Sequence, residues 1–399
     1  MTSFQEMTFS ELLSDAEVFV DGDWVESKDQ DQNGDVRLIQ LADIGDGFYI
    51  DKSSRFLNSE TAKRLKCTYL KEGDILVARM PDPLGRACIF PKSEMPCVTV
   101  VDVCIIRPNQ NKVDNQWLMH TINSPVMRQR INEYVTGTTR QRISRGNFSK
   151  LKVSVPPLPE QRRIAAILDQ ADELRQKRQQ AIEKLDQLLQ ATFIEMFGDP
   201  VSNPKGWDLR SVGEISESKL GKMLDKKKQS SEIDQYKYLR NANVQWFRFD
   251  LSDVFEMEFN EKDRKNCELK FGDVLVCEGG EPGRAAIWKN DLENCFFQKA
   301  LHRVRLDMTQ ILPEYFVWLF WFYSKNGGFD DHITVATIAH LTGVKMKAMQ
   351  IPIPPLSLQE DFQQKVNEIE VLKTTLENSS KLFESLFSSL QNQVFNGTL

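Results

Sequence analysis

The chain has 399 residues, of which 41% are hydrophobic and 27% are charged, and it carries a formal net charge of −6. These are ordinary values for a folded protein, and the length predicts two or three domains that can each bury a core. The negative charge argues only weakly against nucleic acid, because basic patches on an acidic background can bind phosphate with one face.

Several classes of protein are disfavoured by what the sequence lacks. No apolar run approaches the length of a membrane span, and the first residues lack the basic and apolar regions of an export signal, so we expect a cytoplasmic protein with no membrane partner. The seven cysteines contain no CxxC pair and are expected to be reduced thiols. With only four histidines, a zinc site has little support.

The first globular segment, residues 1–155, has the pattern of a mixed α/β domain in which strands predominate. Residues 74–78 form a short apolar run entered from a Lys-x-Gly-Asp turn, which predicts a buried strand. A loop containing Gly85 and Arg86 follows, and residues 87–90 predict the next strand. The topology beyond these strands does not follow from the sequence.

The most suggestive polar segment of the first half is the loop at residues 138–144. It lies within residues 126–152, where seven basic residues accompany one acidic residue, Glu133. Arginine and glutamine side chains can make paired hydrogen bonds to base edges, while Ser and Thr hydroxyls can hold phosphates. A solvated surface is the alternative interpretation of such a charge cluster.

A long amphipathic helix is predicted to end at Phe197. Pro159 and Glu160 suit its first turn, because proline lacks an amide proton that would be unused there and a carboxylate favours the positive end of the helix dipole. Gly198 and Pro200 supply a stop signal. Apolar residues recur between them at alternating spacings of three and four: Ile164, Leu168, Ala171, Ile182, Leu185, Leu189 and Met196.

The second half of the chain repeats the first at an offset of 198 residues or close to it. A period of half the chain is too long for a solenoid unit, so one module, a globular domain followed by a long helix, has been used twice. Residues 312–323 of the second half predict a buried helix. The clearest matches pair Val155-Pro156-Pro157-Leu158 with Ile353-Pro354-Pro355-Leu356, Lys71-Glu72-Gly73-Asp74 with Lys270-Phe271-Gly272-Asp273, and Gly85-Arg86-Ala87 with Gly283-Arg284-Ala285.

The second long helix opens with Ser357-Leu358-Gln359-Glu360, the pattern of a capping box. A helix of about 38 residues is roughly 57 Å long and must bury its apolar stripe. Antiparallel pairing of the two helices is the simplest solution, although Arg175 and Arg178 interrupt the first stripe; packing of each helix on its own domain is the alternative. The second stripe comprises Phe362, Val366, Ile369, Leu376, Phe383, Leu386 and Leu390.

The Pro-Pro segments before both helices allow two interpretations. Two adjacent prolines force a stiff, extended chain and remove two amide donors. They could dock a proline-reading domain. Their fixed place before a helix in both halves favours a structural hinge point instead.

Catalytic motifs are missing from the sequence. It contains no P-loop, no defensible Ser/His/Asp order and no Asn-Pro-Pro-aromatic signature for methylation of a base amino group. The glycines of residues 279–283 are not placed between a strand and a helix, as a dinucleotide fingerprint requires. Asp199, Glu217 and Lys219 loosely imitate a nuclease carboxylate set, but Asp199 lies at a helix end and the first half has no comparable set.

The region around the first helix resembles the central region of the specificity (S) subunits of Type I restriction–modification systems. The resemblance extends over essentially the whole chain, since those proteins also consist of two target-recognition domains that are each followed by a long helix. The second copy has Leu358 and Glu360 where the first has Glu160 and Arg162, which leaves its partner contacts open. The matching segments are Val153-Ser154-Val155-Pro156-Pro157-Leu158-Pro159-Glu160-Gln161-Arg162-Arg163-Ile164, Leu168-Asp169-Gln170-Ala171-Asp172 and Met196-Phe197-Gly198-Asp199-Pro200.

The resemblance implies an α/β fold: mixed α+β target-recognition domains, an antiparallel coiled coil of two long helices, and an internal pseudo-two-fold repeat. The predicted domains are residues 1–155 and 200–353, followed by helical spacers at 156–199 and 354–399. The implied function is non-catalytic reading of a bipartite, asymmetric double-stranded DNA target, one half per domain. A stand-alone nuclease or methyltransferase and a protein-only coiled-coil scaffold are the alternatives.

The family's partners and cofactors follow from the same resemblance. Two modification subunits would bring S-adenosylmethionine and methylate adenine, and restriction subunits would bring ATP-driven translocation and cleavage with Mg. This chain itself would bind no cofactor. The candidate DNA contacts are Arg86, Arg128, Arg130, Thr138, Thr139, Arg140, Gln141, Arg142 and Arg145 in the first half, and Arg240, Asn241, Arg284, Thr337, His340 and Lys345 in the second. A framework role is the alternative for Arg86 and Arg284.

Overall fold

The structure is a computed structural model that describes residues 4–137, 140–223, 235–331, 334–335 and 339–395. The chain forms two compact units. Unit 1 comprises residues 1–179 and 377–399, and unit 2 comprises residues 180–376. Each unit therefore contains one globular segment together with a part of each long helix.

In unit 1 the secondary structure starts with a short strand and ends with the first long helix. The strands are β1 (Gln5–Thr8), β2 (Val18–Asp21), β3 (Val36–Ile39), β4 (Phe56–Leu57), β5 (Ile75–Ala78), β6 (Ala87–Ile89), β7 (Cys97–Thr99), β8 (Val103–Arg107) and β9 (Lys152–Val155). The helices are α1 (Phe9–Leu12), α2 (Ser59–Arg64), α3 (Asn115–Asn123), α4 (Pro125–Glu133), α5 (Arg145–Phe148) and α6 (Leu158–Phe197), which continues into unit 2.

The sheets of unit 1 bury the apolar runs that the sequence marks as strands. An antiparallel sheet has the order β2-β8-β5-β6, and a second sheet, β4-β3-β7, contains the parallel pair β3–β7. Strand β1 pairs with β9 immediately before α6. Helix α3 packs against β6, and Trp117 and Ile122 join Ile75 and Val77 in one buried core.

In unit 2 the strands of the two main sheets follow the same order, with four additional short strands, β13, β14, β20 and β21. The strands are β10 (Asp208–Ser211), β11 (Ser216–Leu220), β12 (Gln235–Leu239), β13 (Val244–Gln245), β14 (Arg248–Phe249), β15 (Phe255–Glu258), β16 (Val274–Cys277), β17 (Ala285–Ile287), β18 (Phe296–Phe297), β19 (Leu301–Leu306), β20 (Thr334–Val335), β21 (Ala339–His340) and β22 (Gln350–Ile353). The helices are α7 (Glu261–Asn266), α8 (Pro313–Asn326), α9 (Gly343–Ala348) and α10 (Leu356–Phe395), which continues into unit 1.

The sheet topology of unit 2 reproduces that of unit 1. The order β11-β19-β16-β17 corresponds to β2-β8-β5-β6, and β15-β12-β18 corresponds to β4-β3-β7, again with one parallel pair. Helix α8 contains the predicted buried helix, and its aromatic side chains fill the core beneath β16 and β17. The duplication inferred from sequence is therefore a duplication of topology.

A buried ion pair explains the Lys-x-Gly-Asp turn found in both halves. Asp74 has no exposed surface and accepts two hydrogen bonds from Arg107 on β8, at 2.7 and 2.8 Å, and one from the Lys71 amide. Asp273 makes the same contacts to Arg305, at 2.7 Å each, and to the Lys270 amide. The carboxylate at this position ties the turn to the neighbouring strand.

The two long helices pack on each other and on the globular cores, so the two alternatives that the sequence left open both hold. In unit 1, Ile164 and Leu168 of α6 enter the core and Phe387 of α10 packs against it. In unit 2, Phe193 of α6 meets Phe362 of α10, with ring centroids 5.5 Å apart. The beginning of α6 thus shares a unit with the end of α10, and the reverse holds in unit 2, as antiparallel pairing requires.

Charged residues in the helix stripes find partners on the other helix. The Arg178 guanidinium lies over the Phe383 ring at 4.6 Å in unit 1, and Lys373 pairs with Asp186 at 2.8 Å in unit 2. Two details of the predicted second helix were wrong. Leu386 is 66% exposed and not in the stripe, and α10 begins at Leu356, so Ser357 lies in the first turn and does not cap it.

A buried glutamine at the start of α6 holds the helix against the globular segment. Gln161 is 1% exposed, and its amide nitrogen donates to the carbonyls of Lys112 and Pro156, at 3.1 and 2.9 Å. Its amide oxygen accepts from the backbone N–H of Asp114, the residue that caps α3. One side chain therefore satisfies three backbone groups where the proline-containing segment meets the helix.

Unit 2 uses the same device at the start of α10. Gln359 has no exposed surface and donates to the carbonyls of Gln310 and Pro354, at 3.0 and 2.8 Å. It accepts from the N–H of Leu312, which precedes α8. The match between the Pro-Pro segments includes this glutamine, which supports the structural interpretation of those segments.

The cysteines are all unpaired and buried, in agreement with the prediction of reduced thiols. Burial raises the pKa of the Cys67 and Cys88 thiols to about 12, so both stay protonated at neutral pH. Within the described ranges, no helix is both long and apolar enough to cross a membrane, and no group of three or more His, Cys, Asp and Glu side chains could hold a metal ion.

Candidate nucleic-acid interface

Unit 1 contains an open cleft with a volume of about 1210 Å³. Its lining includes Thr136, Gly137, Arg140 and Arg142, which lie in and beside the predicted polar loop at residues 138–144. It also includes residues 23–27, Gln30 and residues 40–42, called the opposite wall below, and residues 79–80 and 100–102, called the floor below, which follow β5 and precede β8. The described lining residues are Asp23, Trp24, Val25, Glu26, Ser27, Gln30, Gln40, Leu41, Ala42, Arg79, Met80, Val100, Val101, Asp102, Thr136, Gly137, Arg140 and Arg142.

The segment from Thr136 to Arg142, called the 136–142 loop below, overlaps the predicted polar loop and is closed at its base by its own backbone. The N–H groups of Thr136 and Arg142 each donate to the other residue's carbonyl at 2.9 Å. Gly137 has a φ of +91°, and a Cβ there would lie 2.4 Å from the Arg140 carbonyl oxygen, so the turn requires glycine. Arg140, Gln141 and Arg142 are exposed. Thr138 and Thr139 lie outside the described residues.

The opposite wall of the cleft contains functional candidates that the sequence analysis missed. Trp24 is 70% exposed, and its indole N–H donates to Glu26 at 3.3 Å. Asp102 is half-buried beside the floor, and its carboxylate has no hydrogen-bond partner in the described part of the chain. Nothing in the local sequence brings residues 24 and 102 to the loop at 140, because the juxtaposition depends on the pairing of β2 with β8.

The Arg86 guanidinium is held by the backbone, which accepts four hydrogen bonds from it. Its Nε donates to Ile44 O at 2.7 Å and its Nη2 to Leu41 O at 2.9 Å. Its Nη1 donates to the carbonyls of Met80 and Pro83. The side chain is 8% exposed, so the framework role that was left open is the one that the contacts favour.

Arg128 and Arg284 are held in a similar way. Arg128 donates to Leu84 O at 2.9 Å and pairs with Asp46 at 2.5 Å. Arg284 donates to Asn241 O at 2.9 Å, which is the contact that Arg86 makes to Leu41. Both side chains are 17% exposed. Arg86, Arg128 and Arg284 therefore hold loops together, and little of their surface is available to a ligand.

The remaining basic candidates of unit 1 are only partly available. Arg130 donates to the Lys152 carbonyl. Arg145 begins α5 directly after the polar loop, donates to Phe19 O at 2.9 Å and lies over the Phe19 ring at 5.7 Å. Its side chain is 43% exposed, so a ligand could still reach it.

In unit 2, Arg240, Asn241 and His340 occupy positions that correspond to lining residues of the unit 1 cleft. Arg240 pairs with Asp253 at 2.8 Å and stacks over Phe255 at 3.5 Å, while Asn241 donates to the Gly279 carbonyl. His340 is exposed, and its backbone forms a bridge with that of Gly279. Lys345 is half-buried in the first turn of α9. Thr337 lies outside the described residues.

The nuclease-like set of unit 2 has no catalytic geometry. The Asp199 carboxylate accepts from the Val201 N–H at 3.0 Å and from the Ser202 hydroxyl at 3.1 Å, which are local turn contacts. Glu217 pairs with Lys219 on the same strand at 2.9 Å.

The comparisons with known proteins agree with the resemblance. The family model of the Type I restriction modification DNA specificity domain matches twice, at residues 7–184 and 204–382. The Type I restriction enzyme EcoKI specificity subunit of Escherichia coli K12 is 22% identical over 324 residues, which is 74% of this chain and 68% of that protein. The MjaIX specificity subunit of Methanocaldococcus jannaschii is 22% identical over 232 residues, 54% of this chain and 51% of its own length.

The chain thus spans about half the length of the MjaIX protein, and another M. jannaschii relative is matched over only 35% of its length. Among solved structures, a chain from work on complex assembly and conformational transition of the type I R-M system superposes with a TM-score of 0.62. The alignment covers 100% of this chain and 99% of that chain at 16% identity, and so it shows the fold. With both halves matched by the family model, this chain belongs to the family of Type I restriction–modification DNA specificity proteins.

Proposed function

We propose that the chain is the non-catalytic, DNA-reading subunit of a Type I restriction–modification complex. Each globular segment reads one half of a bipartite double-stranded DNA target. The observation that carries this proposal is the cleft of unit 1, where exposed arginines stand on a loop that is closed by its own backbone. Rigid presentation of a few polar groups is what discrimination between base edges requires.

The free groups of the cleft are complementary to base edges. Arg140 and Arg142 have no side-chain partner in the described residues, and a guanidinium fork matches O6 and N7 of guanine. The unpaired Asp102 carboxylate suits the amino group of cytosine. A cleft with both signs of charge suits the mixed donors and acceptors of bases better than a row of phosphates.

The two halves read different sequences, because the frame repeats while the reading groups do not. His340 occupies the position of Arg142, and both residues lie at the base of the loop that precedes a short helix. Arg240 occupies the position of Gln40, before matching 3₁₀ turns at Leu41–Asp43 and Asn241–Asn243. Cationic, aromatic and amide side chains favour different bases, so the target is asymmetric.

The long helices bind the partners and set the separation of the half-sites. Each has 40 residues, about 60 Å of helix, and contributes to both units. Leu188 and Leu372 in unit 2 and Leu382 in unit 1 are exposed by 51%, 54% and 75%, and offer apolar contacts to two modification subunits. Those subunits bring S-adenosylmethionine, restriction subunits bring ATP and Mg, and the complex acts on DNA in the cytoplasm.

A double substitution tests this assignment. Arg140→Ala with Arg142→Ala in the full chain, assembled with its modification subunits, should lower base preference at one half-site by about tenfold or more, because each bidentate contact discriminates by about 1–3 kcal/mol. The other half-site should be read normally. The measurement is methylation of a randomised duplex pool followed by sequencing.

His340→Ala is the matched control in unit 2, and it should affect only the other half-site. Equal loss at both half-sites in the arginine variant would contradict the assignment of one reader per unit. Cleavage or methylation of DNA by the purified chain alone would contradict the non-catalytic role.

A further inference from the structure

Arg79 lies in the floor of the unit 1 cleft, immediately after β5, and most of its side chain is buried. The side chain is 11% exposed, and its guanidinium reaches three different segments. Nη1 donates to Ile143 O at 3.3 Å and Nη2 donates to Val101 O at 2.5 Å. Nε lies 3.2 Å from Oδ1 of Asp21 on β2.

The backbone of Arg79 joins the same two loops. Its carbonyl accepts from the Ile143 N–H at 3.1 Å, at the end of the 136–142 loop. Its own N–H donates to Asp102 O at 2.9 Å, in the loop that also contains Val101. Arg79 therefore connects the loop that presents Arg140 and Arg142 to the opposite edge of the floor.

Asp21 extends this connection to the helix that follows the loop. Its two carboxylate oxygens face two arginines, Arg79 at 3.2 Å and Arg145 at 3.5 Å. Arg145 is the first residue of α5, and it also donates to Phe19 O on β2. The two ends of the segment 143–145 are held by the hydrogen bonds from Arg79 to Ile143 O and from Arg145 to Phe19 O. The Asp21 carboxylate pairs with both arginines by charge alone, since its Oδ1 and both Nε atoms have no hydrogen-bond partner among the described residues.

Unit 2 has the backbone part of this arrangement without the side-chain part. Glu278 occupies the position of Arg79: its carbonyl accepts from Leu341 N–H at 2.7 Å and its N–H donates to Ala300 O at 2.9 Å. A carboxylate cannot donate to loop carbonyls. Gly343 replaces Arg145, and the His302 ring fills the space, since a Cβ on Gly343 would lie 3.0 Å from the ring.

We propose that Arg79 is a positioning residue for DNA recognition by unit 1: its guanidinium clamps the 136–142 loop so that Arg140 and Arg142 are presented in a fixed geometry. The inference rests on the proposed function. Without the clamp the loop keeps the backbone pair of Thr136 with Arg142, the bond from the Thr136 hydroxyl to Arg142 O and the bond from Ile143 N–H to Arg79 O, and the rest of its order has to be regained when DNA binds. Base discrimination at one half-site is then lost although no group that touches a base has been removed.

The test uses Arg79→Met, which keeps the length of the side chain and removes every donor, and Arg79→Lys, which keeps the charge and offers one donor site. The full chain is assembled with its modification subunits, and a randomised duplex DNA pool is methylated and sequenced. Arg107→Met is the control, because it also deprives an aspartate, Asp74, of its arginine but Arg107 is not among the residues that line the cleft. Thermal unfolding is measured for every variant.

We expect Arg79→Met to reduce base preference at the unit 1 half-site by about tenfold, the scale of one lost base contact, and to leave the other half-site unchanged. The base preference of Arg79→Lys at the unit 1 half-site should lie between that of Arg79→Met and that of the unsubstituted chain. Arg107→Met should lower the unfolding temperature without altering either preference.

Unchanged preference in Arg79→Met would overturn the inference, as would an equal loss at both half-sites or the same loss in Arg107→Met. If Arg79→Met does not fold, an Arg79→Lys profile equal to that of the unsubstituted chain overturns it. A complete absence of sequence preference in the unsubstituted complex would instead refute the proposed function itself, so the two failures are distinguishable.

Discussion

Arg86 and Arg284 illustrate how far a single residue can be interpreted from sequence. Both follow glycine in a matched loop, and the sequence allows either a DNA contact or a framework role. The structure directs the guanidinium of Arg86 to the carbonyls of Leu41 and Ile44, more than forty positions away. Local sequence could not distinguish these roles, because a donor that binds a distant carbonyl looks the same as one that meets a ligand.

Another residue of the framework, Asp43, is charged in unit 1 and replaced by a neutral residue in unit 2. Its buried carboxylate accepts from the N–H groups of Gln40, Lys52 and Ser53, at 2.7 Å each, and from the Ser53 hydroxyl. Burial alone would raise the pKa of Asp43, but these hydrogen bonds outweigh it and lower the pKa. Asn243 keeps the equivalent of the first bond, accepting from the Arg240 N–H at 2.9 Å, and its amide nitrogen donates to the carbonyls of Asp250 and Asp253 at 2.9 Å each.

Asp43→Asn should therefore destabilise the protein by about 1–3 kcal/mol at pH 7. The reason is that the asparagine NH₂ group, itself a donor, would face donors from which a carboxylate oxygen accepted before. A carboxyl whose folded-state pKa is depressed stabilises the protein above its unfolded pKa of about 3.9, and that stabilisation is lost as the pH falls through the folded pKa. The difference in the free energy of unfolding between the unsubstituted protein and Asp43→Asn should be constant above about pH 5 and should shrink below it.

Urea unfolding of both proteins at a series of pH values measures this difference in the free energy of unfolding. Other carboxylates titrate alike in the two chains and cancel in the difference. If this difference stays constant or grows on acidification, the charge of Asp43 is ruled out as the cause of the difference.

At the scale of elements, the repeat and both long helices could be predicted from sequence, because spacing, prolines and glycines act locally. Helix α6 ends at Phe197 and is followed by Gly198 with a φ of +80°, as the stop signal predicts. The sheet order and the cleft could not be predicted, since they depend on pairings such as β2 with β8, which are about eighty residues apart. Trp24 and Asp102 were missed for this reason.

The glutamines at the helix starts lead to a prediction at this scale. Gln161→Leu should destabilise unit 1 by about 1–3 kcal/mol, because three buried backbone groups lose their partner while the apolar volume is retained. Gln359→Leu should do the same to unit 2. The double variant should show the sum of both losses, since the two glutamines share no hydrogen-bond partner.

Chemical denaturation of the three variants provides these values. Gln363→Leu, on the same helix as Gln359, is a suitable control because its single side-chain bond to Glu314 leaves fewer groups unpaired. If Gln161→Leu lowers the free energy of unfolding no more than the control does, the buried amide does not hold the helix.

For the whole molecule, the frame matches between the two halves and the groups that line the cleft differ. Asp74, Arg107 and Gln161 have exact counterparts in unit 2, and the strand orders agree. The cleft does not follow this pattern, since Arg79 corresponds to Glu278. In the proposed assembly, this difference between the units gives them unlike half-sites, while the matched frame is common to both.

The target should therefore consist of two unlike specified sequences separated by unspecified base pairs. Sequencing of methylated adenine in the host genome, with the gene for this chain present and deleted, measures the target directly. The deletion should remove one bipartite motif and no other, because the modification subunits take their sequence preference from this chain in the proposed assembly. A palindromic motif would mean that the two units read alike despite the Arg79 and Glu278 difference, and one uninterrupted motif would mean that they do not read separate half-sites.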